Sequence, residues 1–152
     1  DDIIVINKPN GIASQGGTNI VAGIDYMTSS CCDTYLVHRL DKETAGIMVL
    51  TKNYSTSRKL SEMFVNGLIK KTYYALLCNV PKSKSSVVNA ALMHDGRKVC
   101  VDITSGKKAI TEYSLISSYG GMGLVMLSPK TGRKHQIRVH MSYIGCPIIG
   151  DF

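Results

Sequence analysis

The chain has 152 residues, 44% of them hydrophobic, with a formal net charge of +7 and a pI near 9.2. That length and apolar content suit one domain with a real core and exclude a disordered tail. The basic balance favours a polyanionic partner such as RNA, and no apolar run is long enough to span a bilayer.

In chain order, "IIVINKPNG" is expected to give a strand over residues 3–6, turned by Pro9 and Gly11. Ser14, Gly16 and Gly17 read as loop. Ile20, Val21, Ile24 and Met27 are spaced as one stripe of a short helix, and "TSSCCDT" after them reads as a polar loop. Beyond Asp41, "KETAG" is a tight connection into a buried strand over residues 47–51. "NYSTSRKLSEMFVNGLIKK" is expected to be helical, with Leu60, Met63, Phe64 and Leu68 on one face, Asn53 or Ser55 as the cap and Gly67 near the end.

"TYYALLCNV" reads as a strand that Pro81 stops. "PKSKSS" is a surface loop. "VVNAALM", "RKVCVDI" and "AITEYSLISS" are expected strands, joined by turns at "HDG" and "TSGKK". Gly120, Gly121 and Gly123 mark a further connection, and "LVMLS" is again a strand. From His135 the period changes: Ile137, Met141 and Ile144 form one apolar helical face, which Gly145 and Pro147 end. The pattern is α+β with an extensive mixed or antiparallel sheet.

Five cysteines, Cys31, Cys32, Cys78, Cys100 and Cys146, include no C-x-x-C pair and no spacing that completes a zinc site. Free thiols of a reducing compartment are the expected state. The sequence contains no phosphate loop, dinucleotide fingerprint or H-E-x-x-H string.

Three stretches could carry chemistry. In "HRLDKETAGIMVLTK", Asp41 follows His38 and Arg39. A carboxylate beside an arginine stays ionised at neutral pH, so it can act as a nucleophile or base but not readily as an acid. In "TGRKHQIRVH", Arg133, Lys134, His135, Arg138 and His140 crowd a turn and a helix start, which would suit a phosphate or carboxylate. The spacing of His135 and Arg138 puts them on one helical face. In "KKTYYALL", Tyr73 and Tyr74 point to opposite sides of a strand, and an exposed ring could stack on a base.

Taken together and in order, these stretches resemble the RluA-type RNA pseudouridine synthases over nearly the whole chain. "DDIIVINKPNGI" is similar to that family's opening strand and K-P-x-G turn. "HRLDKETAGIMVLTK" is similar to its H-R-L-D-x-x-T-S-G signature. "KKTYYALL" resembles its K-x-Y-x-A strand, and "TGRKHQIRVHMSYIGCPIIGD" its T-G-R-x-H-Q-I-R-V-H segment with the following G-x-P-I-x-G-D. The chain departs from the pattern at Ala45, where the signature carries serine, and near Gln15, where members often carry histidine.

The resemblance implies a pseudouridine synthase-like mixed central β-sheet with flanking helices and loops. It implies Asp41 as the catalytic aspartate, Tyr73 as the tyrosine against the target base and Arg138 as the partner of the aspartate. Arg39 corresponds to an arginine that prises the target nucleotide from its helix. His38, Arg133, Lys134 and His135 are the further expected RNA contacts. No metal and no organic cofactor are implied. The expected partner is RNA, rRNA rather than tRNA, with ribosomal or preribosomal proteins as further candidates and no membrane. The expected setting is intracellular, in the cytoplasm or an organelle such as the mitochondrion. The expected organisation is one catalytic domain over residues 1–152, ending earlier than family members generally do and without a separate N-terminal RNA-binding domain. The competing expectation is an RNA-binding or ribosome-assembly factor on the same fold, with catalysis incidental or lost.

Overall fold

The computed structural model describes residues 1–17, 22–29 and 32–151. The chain forms two compact units, Asp1–Ile69 and Lys70–Phe152.

The first unit holds β1 (Ile3–Lys8), α1 (Ile24–Ser29), β2 (Tyr35–Leu36), β3 (Gly46–Thr51) and α2 (Tyr54–Val65). Its antiparallel sheet has the order β1-β3-β2, with Val5 opposite Val49. Met48 and Leu50 alternate inward along β3 and are fully buried, while Ile47 between strand neighbours faces out. Helix α2 begins where expected, because the Asn53 side chain accepts a hydrogen bond from the Thr56 N–H at 2.8 Å. It closes with Gly67 at φ +69 and a Leu68 N–H to Met63 carbonyl bond of 2.9 Å. Leu68 therefore lies beyond the helix and is 68% exposed, so it does not extend the apolar face. Of the stripe expected before it, Ile24 is buried at the start of α1 and Met27 is exposed. Ile20, Val21 and Cys31 lie outside the described residues.

The second unit holds β4 (Tyr73–Leu77), β5 (Ser85–Asn89), β6 (Leu92–His94), β7 (Val99–Val101), β8 (Ile110–Tyr119), β9 (Met122–Pro129) and α3 (Gln136–Tyr143). Four strands make a sheet of order β4-β9-β8-β5, and β6 and β7 make a separate hairpin. Gly120 and Gly121 join β8 to β9 with φ of +57 and +81, the positive pair that a type I′ hairpin turn requires. Gly123 lies inside β9 and not in the connection. The core of this unit is Leu77, Val88, Ala90, Tyr113, Val125, Leu127, Met141 and Cys146, with Ile137 and Ile144 of the α3 region packed against it. Fully burying a side chain such as Leu127 or Met141 stabilises by about 1.5–3 kcal/mol. The apolar face expected from residues 137, 141 and 144 is thus the face that seats α3.

The α+β class holds. Among the described residues every strand pairing is antiparallel, and the strands divide into three sheets. "VVNAALM" is divided as well. The Ala90 N–H bonds the Ala109 carbonyl at 3.2 Å and the Leu92 N–H bonds the Lys107 carbonyl at 2.9 Å, which ends β5 and starts β6.

Candidate active site

In the first unit, the loop carrying Asp41 is pinned at several points. Ser14 donates its hydroxyl to the Leu40 carbonyl at 2.6 Å and accepts the Leu40 N–H at 2.9 Å. The Asp41 carbonyl accepts the Thr44 N–H at 3.0 Å, closing the turn into β3, and the Gly11 N–H reaches the Lys42 carbonyl at 2.9 Å. Lys8 completes the clamp. Its side chain is fully buried, and its ammonium donates to the carbonyls of Ile12, Pro9 and Lys42 at 2.7, 3.0 and 3.2 Å. Burial pushes the Lys8 pKa down, while the Glu43 and Asp41 carboxylates act in the opposite direction. The K-P-x-G turn therefore ties the end of β1 to the backbone beside Asp41, which is itself half-buried.

His38 braces the same loop. Its Nε2 accepts the Val49 N–H at 2.9 Å, and its ring stacks on Phe64 with centroids 4.5 Å apart. That use of ring face and nitrogen makes it a support for the loop, whereas Arg39 is exposed and its Nη1 donates to the side-chain Oε1 of Gln15 at 3.4 Å. Gln15, one of the departures from the family pattern, thus contacts the arginine of the signature. Ala45, the other, is exposed.

In the second unit, Tyr73 and Tyr74 alternate as expected. Tyr73 and Ala75 are partly buried against the core, and Tyr74 is 67% exposed. Arg138 projects from α3 and is held by Asp151: its Nε lies 2.6 Å from Asp151 Oδ1, and Nη2 meets the same oxygen. The segment bearing Asp151 is stitched to β4 through Cys78 N–H to Pro147 carbonyl (2.8 Å) and Ile149 N–H to Leu76 carbonyl (2.8 Å) bonds. One short segment therefore links the strand of Tyr73 to the helix of Arg138.

The turn before α3 is organised by Gln136, which sequence reasoning passed over. It is buried, and all its polar atoms are used. Its Oε1 accepts from the Thr131 hydroxyl (2.6 Å) and the Arg133 N–H (3.0 Å), and its Nε2 donates to the Ile110 carbonyl (2.9 Å) and Thr111 Oγ1 (3.0 Å). His140 is buried one turn further on. Its Nε2 lies 2.9 Å from the Ala90 carbonyl, which can only accept, so Nε2 carries the proton. Its Nδ1, 2.9 Å from Thr111 Oγ1, then accepts from that hydroxyl. Burial lowers the His140 pKa, opposed by the bond to Ala90. The relay from Gln136 through Thr111 and His140 to Ala90 needs a neutral imidazole.

His135 corrects one spacing argument. It has φ 53 and ψ 21, in the left-handed region, so the helix starts at Gln136 and His135 is not three helical residues from Arg138. Both residues nevertheless line one cleft of about 470 Å³, together with Asp151 and Tyr143. Arg133 and Lys134 are exposed. Among the described residues no three His, Cys, Asp or Glu side chains are grouped to hold a metal, and no helix is long and apolar enough to cross a membrane.

The profile of a family described as RNA pseudouridylate synthase matches residues 2–143. The chain belongs to that family. Among curated synthases, it is 41% identical over 168 residues to the ribosomal large subunit pseudouridine synthase C of Rickettsia bellii, covering 99% of this chain and 53% of that protein. It is 37% identical over 166 residues to the ribosomal large subunit pseudouridine synthase D of Borreliella burgdorferi, covering 99% of this chain and 51% of that one. The solved structure of human RNA pseudouridylate synthase domain containing 4 superposes with a TM-score of 0.82 at 32% identity, covering 99% of this chain and 64% of the human chain. The chain spans about half the length of the curated synthases it matches. The signature segment with Asp41 falls inside the matched range, as does the second segment up to Tyr143, with Arg138.

Proposed function

We propose that this chain isomerises uridine to pseudouridine in structured RNA, with large-subunit rRNA as the substrate class. The observation that carries the reading is the family match over residues 2–143, which includes Asp41, Tyr73 and Arg138. The rRNA assignment is supported by curated relatives described as ribosomal large subunit synthases. Ribosomal or preribosomal proteins are the proposed neighbours of the substrate, and the proposed setting is intracellular.

The reaction breaks the C1′–N1 bond, turns the uracil and joins C5 to C1′. A base within a helix must first leave the stack, and Arg39, exposed beside the clamped loop, is suited to fill the gap it leaves. Asp41 assists at the sugar, either by attack on C1′ or by removal of the C2′ proton. Arg138 pairs with the Asp41 carboxylate and aims it. The Tyr73 ring holds the detached uracil by its face. Arg133, Lys134 and His135 contact the RNA backbone, giving grip with little sequence readout. Supporting rigidity comes from Lys8 and Ser14, which fix the loop so that the carboxylate does not have to be ordered at the moment of reaction.

The test is Asp41→Asn, which nearly preserves size and removes the nucleophile. Pseudouridine yield on a large-subunit rRNA fragment should vanish while RNA affinity at fixed salt is largely kept. Wild-type yield from a folded Asn variant would remove Asp41 from the mechanism. A wild type that binds RNA, forms no product and supports ribosome assembly as well as the variant would favour the assembly-factor reading.

A further inference from the structure

A second cleft, of about 440 Å³, lies wholly within the second unit between the β6–β7 hairpin and the turn before α3. Leu92, Met93 and Val99 supply its apolar lining. Its polar lining includes Lys107, Arg133 and Lys134, with His94 beside them.

The hydrogen bonding of His94 makes this lining unusual. Its Nδ1 accepts the Gly96 N–H at 3.1 Å, so in the neutral ring the proton sits on Nε2. That Nε2 lies 3.4 Å from the Lys134 ammonium, which has no lone pair to offer. Two donors therefore face each other with no acceptor of their own. Arg133 is oriented next to them: its Nε donates to the Lys108 carbonyl at 3.1 Å and its N–H to Gln136 Oε1 at 3.0 Å, which leaves the Nη end of the guanidinium fork unused by these bonds. Among the described residues no carboxylate forms a salt bridge with Lys107, Arg133 or Lys134. Asp95, the acid next to His94, has its Oδ1 engaged by the N–H groups of Arg97 and Lys98.

We propose that this cleft is an anion site for a phosphodiester of the RNA strand, with a phosphate oxygen accepting from His94 Nε2 and the Lys134 ammonium. Arg133 and Lys107 add charge, and contacts to an ionised phosphate are stronger than neutral ones. A phosphodiester suits the site because the donors come from separate elements of a chain with net charge +7. The assignment rests on the RNA-directed function above.

The experiment measures binding of the full chain to a structured large-subunit rRNA fragment between 50 and 200 mM salt, conditions chosen from the range over which phosphate contacts are weakened by counterions. Lys134→Gln and Lys107→Gln are each expected to reduce the slope of log affinity against log salt by about 0.7–0.9. His94→Phe is expected to weaken binding severalfold, because a donor to the phosphate is lost. Lys130→Gln is the control. That ammonium is already paired with Glu112 at 2.7 Å, so the same loss of net charge should leave the slope close to wild type. Folded Lys107 and Lys134 variants that change the slope no more than the Lys130 control would overturn the site, as would a wild type with no salt-dependent RNA binding. A wild type that binds as expected but forms no pseudouridine would defeat the proposed activity and leave the cleft standing.

Discussion

Arg138 presents two adjacent nitrogens, Nε and Nη2, to a single carboxylate oxygen of Asp151. An arginine gripped along one edge cannot swing freely, and its remaining nitrogens are left in a defined direction. Asp151 thus sets the direction in which the Arg138 guanidinium points.

Asp151→Ala should therefore lower the rate of pseudouridine formation about tenfold, equivalent to roughly 1.4 kcal/mol of transition-state free energy. The two side chains are 24% and 21% exposed, so the loss of stability should stay near 1 kcal/mol. Asp151→Asn keeps an acceptor for Nε and should recover part of the rate. Single-turnover rates with saturating RNA provide the check. Equal rates for wild type and Ala variant would show that Arg138 needs no such support.

Lys8 offers a second test, in a residue with no contact to substrate in the proposed scheme. Lys8→Met preserves the stem and removes the donor from three carbonyls. Leaving such buried acceptors without partners should cost about 3 kcal/mol. Urea unfolding followed through the first unit should show it, and a loss under 1 kcal/mol would mean that water or a repacked loop replaces the ammonium.

His140 makes the fold acid-sensitive. Its folded pKa is lowered, so below about pH 6.5, the ordinary imidazole value, the unfolded chain binds more protons than the folded one. Stability then rises with pH across the window between the lowered value and 6.5 and falls on acidification through it. Below the lowered value both states are protonated and the contribution is gone. His140→Gln, compared with wild type by urea midpoints at pH 7.5 and 5.5, should lose less stability on acidification. An equal loss in both proteins would assign the sensitivity to other groups.

Much of the secondary structure was legible locally. Apolar runs bounded by turn residues located β1, β3, β4, β8 and β9, and the stripe of Ile137, Met141 and Ile144 located α3, because a buried helix face leaves a period in the chain. The break of "VVNAALM" into β5 and β6 was not legible, since it is set by bonds from Ala90 and Leu92 to residues 109 and 107. The two-residue strand β2 is too short to carry a period.

At the candidate site the motifs were legible and their supports were not. Nothing local distinguishes Lys8 from an exposed lysine, because one of its acceptors lies 34 residues away. Gln136 and His140 similarly depend on Thr111, 25 and 29 residues distant. His38 read as a surface contact because the Phe64 ring that covers it comes from another element.

The left-handed backbone at His135 sets a rule for anyone dissecting the basic turn. Glycine and asparagine tolerate that handedness, whereas a β-branched residue meets its own carbonyl and loses about 1–2 kcal/mol. His135→Val should melt several degrees below His135→Asn, which lacks the imidazole too but tolerates the handedness. A charge scan that places valine at this position would thus record a chirality defect as lost RNA contact. Equal melting of the two variants would show that the turn can relax into a right-handed form.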